Sequence, residues 1–317
     1  TSHTSEQSQA LNLAEAGLDK AIASLNATAG AYNGESETVL GSGSYSIAIN
    51  TIDANTGYAN TGNYFNGLGD GAGVSNVGDY VNFFGSNAGA SNSGDMVISI
   101  GNDSGYSNTG DVVIMVGHNA GYSNIGNNVN VIGDSAGLEN TGSIVNAFGN
   151  SATDSNSGST VNSIGNNSSK NNSGDYVNAF GDSAAINNSG NLLHAFGYEA
   201  GKSNSGEYVN TFGSGAGTNN SGDRANFIGS AVGQSNSGDY VVGLGEFAAD
   251  TNTGSYVVSI GESSASHNSG SNVNFLGTHA GWVNSGNYVV GLGEYVADGN
   301  TGSVANLIGY SAGQGNS

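Results

Sequence analysis

The residues able to do chemistry in this chain share no common centre. His118, His194, His267 and His279 fall at different places in a sixteen-residue repeat that fills most of the sequence, so they form no line. None pairs with another at a metal-ligand spacing such as HxxxH. Serines are abundant, yet no G-x-S-x-G serine has a placed histidine beside it, and a repeated scaffold gives no single unit a reason to differ. An enzyme is not expected, and no catalytic, cofactor-binding or metal residue is assigned. Asp79, Asp95 and Asp111 stand one repeat apart, which would stack carboxylates for Ca²⁺ to bridge or for water to solvate in turns. Asn and Ser replace Asp elsewhere and the GGxGxD pattern of calcium rolls is missing, so solvated turns are the reading taken and Ca²⁺ is not favoured. Tyr80, Tyr176, Tyr208, Tyr240, Tyr256 and Tyr288 share one place in the repeat, with Tyr64. Such a row packs on a neighbouring subunit, binds carbohydrate, or only stacks along its own sheet; subunit contact is the expectation. Triplets such as Ser91–Ser93 and Thr251–Thr253 place hydroxyls on both sides of an Asn.

What must position these rows is the repeat itself. Close variants of NNSGDYVNAFGDSAAI (171–186) recur every sixteen residues from Gly62 to Ser317, sixteen times over. One glycine marks the phase at Gly62, Gly78, Gly94 and onward to Gly302; a second follows seven residues later, from Gly69 to Gly309. A strict period of this length marks a solenoid, in which each unit buries its apolar side only by stacking on its neighbours. Counting the first glycine as position 0, position 3 is Val in twelve coils, including Val81, Val177 and Val241, and reads as a buried row. Position 6 is always Phe, Ile, Leu or Val, as in Phe148, Ile164, Phe180 and Phe196, and position 10 is Ala, Ser or Val. The large and small rows are expected to face each other across a thin core. Position 14 is Asn without exception, from Asn60, Asn76 and Asn92 through Asn172 and Asn188 to Asn316. Stacked at strand spacing, those amides can hydrogen-bond from coil to coil in an internal ladder. The two glycines are expected to supply positive φ at turns. Sixteen coils predict a single-chain parallel β-solenoid, a β-roll roughly 75 Å long at about 4.8 Å per coil.

Composition narrows the function classes. The chain of 317 residues has 55 Gly and neither Pro nor Cys, so disulfides are impossible and every strand can be a central one. Its polar bias would suit disorder, but disorder does not hold Val in fixed phase. A net charge of −21, with Lys20, Lys170, Lys202 and Arg224 as the strong cations, disfavours nucleic acid and anionic membrane surfaces. No stretch approaches the roughly 20 apolar residues of a membrane span.

Ahead of the repeat, Leu11, Ala14, Leu18, Ile22 and Leu25 recur at helical steps, with Thr4 or Ser5 as N-cap and Gly30 near the stop. GSYSIAI (43–49) alternates like a strand. The expected division is a helix in 1–30, a β transition and cap in 31–61, and the solenoid in 62–317. SEQSQALNL followed by AEAGLDKAIASL resembles the segment after the membrane-spanning half of the N-terminal helix in type IV pilin-like proteins of the minor-pilin or pilus-assembly type. In that family a small β domain with a GxYxVxI-type strand follows, to which Gly43–Ile49 is similar. The family's processing site and apolar half-helix do not stand in this sequence. Residues 62–317 resemble the NxxxxG-type coils of trimeric autotransporter adhesin heads and of some phage tail-fibre proteins. The hydroxyl rows are similar to those of ice-binding solenoids, which favour Thr where this chain uses mostly Ser.

These resemblances imply an extracellular or cell-surface place on a prokaryote. The expected function is a structural subunit of a pilus-like surface filament, or a displayed adhesin, with itself as partner and cell-surface glycans as a second one. The last coil carries no cap in this sequence, so a head-to-tail junction is expected between Asn306 and Ile308 and the Gly43–Gly62 end of another chain. The helix face of Leu11, Leu18, Ile22 and Leu25 would reinforce it. The alternative function is an ice-binding or carbohydrate-binding module.

Overall fold

The computed structural model describes the backbone of residues 34–40 and 43–48 and all of residues 55–317. The chain divides into two compact units, Thr1–Ala54 and Asn55–Ser317. In the first, β1 (Gly34–Leu40) and β2 (Gly43–Ala48) pair antiparallel, with Leu40 opposite Gly43. The expected helix and its face of Leu11, Leu18, Ile22 and Leu25 lie outside the described residues.

The second unit is a parallel β-solenoid with one strand per coil. Sixteen strands, β3 (Phe65–Leu68) through β18 (Ala305–Ile308), form one sheet in strict sequence order. Each pairs with the strand sixteen residues away, Val177 with Val161 and Phe180 with Ile164. The strand occupies positions 3 to 6, where β-branched Val leads an alternating run, and it ends at the second glycine, Gly181 in the coil 174–189, with φ +145°.

The wall opposite the sheet is not a strand. Along it positions 9, 11 and 13 take positive φ, as in Ser183, Ala185 and Asn187, while the residues between them do not. This alternation turns successive N–H groups up and down the stack. Ser183 donates to Asn166 O in the coil before, Ala185 to Ala200 O in the coil after, Asn187 to Lys170 O before, and Ser189 to Asn204 O after. The intervening N–H groups close local turns, Ala184 to Gly181 O and Asn188 to Ala185 O. The backbone of a coil is thereby satisfied without a second sheet, and Gly, Asn and Asp recur at these positions because they tolerate the left-handed region best, with Ser frequent beside them.

The core lies between the two walls. Position 3 is buried, with Val81, Val177 and Val241 fully enclosed, and so is position 10, with Ala88 and Ala184. Position 6 is not. Phe148 is 41% and Ile164 46% exposed, and none of the sixteen is buried. The expectation that this row fills the core is overturned by strand geometry: with Val177 pointing inward, Ala179 points inward too and Phe180 must point out. The missing core row is position 5, whose types vary from Phe83 and Met115 to Ala179 and Ser163, all buried.

That variation is compensated by position 11. Phe83 lies against Gly89, Met115 against Gly121, Phe227 against Gly233 and Phe275 against Gly281, while Ala147, Ser163 and Ala179 are matched by Thr153, Ser169 and Ala185. A Cβ at Gly89 would stand 2.3 Å from the Phe83 ring, so a large residue at position 5 leaves room only for glycine at position 11. The phase glycine has a different duty from the one expected. Gly174 does not have positive φ; instead a Cβ there would meet the backbone carbonyl of Gly190 at 2.0 Å. Close stacking of coils demands glycine at that position, and conformation demands it only at the second one.

Candidate functional site

Strand alternation creates a continuous outer face on the sheet, built from positions 2, 4 and 6. Position 6 contributes the half-exposed row of Phe84, Phe148, Phe212, Leu244 and their equivalents. Phe180, Phe196 and Phe212 stack in succession, with ring centroids 4.9 and 4.8 Å apart and planes within 4°. Position 4 lies between the aromatic rows and carries a second amide ladder that the sequence reading did not isolate. Asn146 Nδ2 donates to Asn162 Oδ1 at 2.9 Å, and Asn162 to Asn178 Oδ1 at 2.8 Å. His194 continues that row at 2.9 Å from Asn178, and elsewhere Ile98, Ile114, Val242, Val258 and Val290 replace the amide.

Position 2 holds the tyrosines. Tyr80, Tyr176, Tyr208, Tyr240, Tyr256 and Tyr288 are all exposed, Tyr176 by 56%. Where adjacent coils both carry Tyr the rings stack, Tyr64 on Tyr80 at 4.5 Å and Tyr240 on Tyr256 at 4.7 Å. Arg224 sits between Tyr208 and Tyr240, its guanidinium 5.4 and 5.1 Å from the two ring centroids. Position 2 has φ between 54° and 59° in every coil, including Val112, Ile144, Thr160 and Val304. A β-branched or aromatic residue in that region costs on the order of 1 kcal/mol or more, and only Asn128 and Asn272 are of a type that suits it locally. Large side chains are kept here against local preference.

Charge is partitioned around this face. Every Asp and Glu of residues 55–317 stands at position 1, 8, 9, 12 or 13, and none at positions 2 to 6. The position 1 row is committed to the backbone. Asp95 Oδ1 accepts the Asp79 N–H at 2.8 Å, Asp111 Oδ1 that of Asp95, and Asn127 Oδ1 that of Asp111. Ser143 and Ser159 continue the series with their hydroxyls. The sequence expectation of solvated turns missed this role, although the interchange of Asp, Asn and Ser is the signature of a shared acceptor. Among the described residues no three of His, Cys, Asp and Glu converge on one point. His118 meets Asp134 at 2.9 Å and His279 stacks on Tyr295.

The position 14 amides point the other way, into the core. Asn172 is fully buried; its Nδ2 donates to Asn156 Oδ1 and to Gly174 O, both at 2.8 Å, and its Oδ1 accepts from Asn188 Nδ2. The same contacts join Asn60, Asn76 and Asn92, and at the far end Asn316 donates to Asn300. Here each amide donates toward the preceding coil, whereas the outer ladder at position 4 donates toward the following one. Asn306 and Ile308 lie on β18, opposite Val290 and Leu292, with both side chains exposed. Against known protein families, curated proteins and solved structures the chain gives no match. Beyond the outer face, the turn wall exposes a row of hydroxyls at position 15, including Ser173, Ser189, Ser205 and Ser221.

Proposed function

We infer that this chain is a structural protein of an extracellular, surface-displayed assembly, a rod whose outer sheet face is its working surface. The observation that carries this reading is the row of mostly large, exposed side chains at position 2, seven of them Tyr, beside a half-exposed apolar row. Core and backbone need neither row. The uniformity of the coils supports scaffolding over catalysis, because sixteen near-equivalent units offer a line of contacts and no single constellation. Filament subunit and displayed adhesin both fit such a line. The pilin-like resemblance of the first residues favours the filament, with the surface of a prokaryote as its place.

Negative-stain electron microscopy of the purified chain tests the reading. Rods, singly or joined, are expected; compact particles without an elongated body would overturn it. The exposed position 15 hydroxyls support a second reading, in which the turn wall orders water as an ice-binding surface. Thermal hysteresis by monomeric rods, abolished by Ser189→Tyr and Ser205→Tyr together, would establish that reading. Carbohydrate binding through aromatic faces is less well supported where rings stack, as Tyr64 on Tyr80 and Phe196 on Phe212, because stacked rings cover each other's faces.

A further inference from the structure

The outer face carries more than a general capacity for contact. We propose that it is a lateral self-association surface, and that its occupant is the same face of a second copy of this chain. This rests on the scaffold reading above and names its partner.

Size is the first argument. Sixteen coils at strand spacing, by the width from position 2 to position 6, give a face of roughly 75 by 13 Å, on the order of 1,000 Å². That is comparable to the roughly 800 Å² that each partner contributes to a stable interface.

Charge is the second argument. A chain of net charge −21 places none of its carboxylates at positions 2 to 6, while positions 1 and 8 border that strip with acidic rows. An apolar and amide centre with a charged rim is the anatomy of a protein interface. Nucleic acid and anionic lipid are poor occupants for such a rim. A second copy fits the centre.

The third argument is hydrogen-bond capacity. Along the outer ladder Asn162 uses one amide N–H toward Asn178 and one Oδ1 lone pair for Asn146. The other N–H and the other lone pair remain outward, and two such rows face to face supply each other's missing partners. Position 4 is the middle row, so it meets itself whether the two rods run parallel or antiparallel. The Tyr and Phe rows on either side then exclude water from the amides. Because the rows repeat at every coil, a shift by one coil preserves most contacts, and staggered copies extend the pair into a bundle.

The test is sedimentation velocity of the full chain over a concentration series at low and at high salt. Dimers or larger species are expected, and more of them at high salt, where repulsion between the acidic rims is screened. Phe180→Lys combined with Phe196→Lys should return the chain to monomer, while the charge-matched control Ser189→Lys with Ser205→Lys on the turn wall should leave association unchanged. Circular dichroism melting of each variant separates loss of association from loss of fold. If the lysine pair unfolds the chain, Tyr176→Ser with Tyr208→Ser, lying outside the strands, should still weaken association at least tenfold. Wild-type protein that stays monomeric at every concentration and salt overturns the proposal, as does equal weakening by the control pair. Monomeric rods under the microscope would remove the pairing and leave the scaffold reading standing; loss of the rod itself would remove both.

Discussion

Asn172 shows how little slack a single position has. Its amide is fully buried and makes bonds to the coil before, the coil after and its own Gly174. Replacing it by Ala leaves Asn156 Oδ1 without its donor and Asn188 Nδ2 with Gly190 O alone, and should cost about 1–3 kcal/mol, read from urea denaturation. Asn172→Asp should cost more and grow worse as pH rises, because the buried carboxylate then ionises beside other acceptors. The Phe83 and Gly89 pair gives a second test. Phe83→Ala should cost roughly 3–5 kcal/mol as a cavity, and Gly89→Ala should also destabilise through its contact with the ring. In the double variant the added methyl no longer meets Phe83, so the total should fall below the sum of the two, and a double-mutant cycle checks it. At this scale uniformity misleads. Position 6 is apolar in every coil and reads as core, yet it faces outward; position 5 varies from Phe83 to Ser163 and so shows no row in the sequence, yet it is buried. The variation is hidden by compensation at Gly89 and Ser169, which no single coil reveals.

The coil is the unit that folds. Removing residues 174–189 takes out one whole repeat and should leave a folded rod one coil shorter, because the register on both sides is kept. Removing only 174–181 misaligns every later row and should abolish cooperative melting. Gly174→Ala should be nearly as harmful as a misregister, since its Cβ has no room against Gly190. The acidic row makes a separate prediction. Asp95 accepts the Asp79 N–H, so Asp95→Asn should be tolerated, Asp95→Ala should lower the melting temperature, and chelator should shift it little. A large loss of stability in chelator would show a metal role instead. The period, the Val177 row and the alternation of GSYSIAI are legible in the sequence because each follows one periodicity. The opposite wall is not, because alternating backbone handedness at Ser183, Ala185 and Asn187 has no strong residue code outside glycine. The outer amide ladder escaped for a related reason: Ile98 and Val242 interrupt it, where the inner ladder is unbroken.

For the solenoid as a whole, the division of labour between faces is the principal result. The turn wall and the two rims carry all the carboxylates of residues 55–317, while the sheet carries aromatic, aliphatic and amide rows. An acidic rim keeps such a surface soluble until a matching one approaches, so association should respond to ionic strength more than the melting of a single rod does. The most direct measurement is a cryo-electron-microscopy reconstruction of the assembled protein. Paired sheets about 10 Å apart are expected, with the Tyr176, Asn178 and Phe180 face of one copy packed on the same face of another and the position 4 rows in register. A junction formed by the turn wall or by coil ends, with the sheet face left open to solvent, would contradict it.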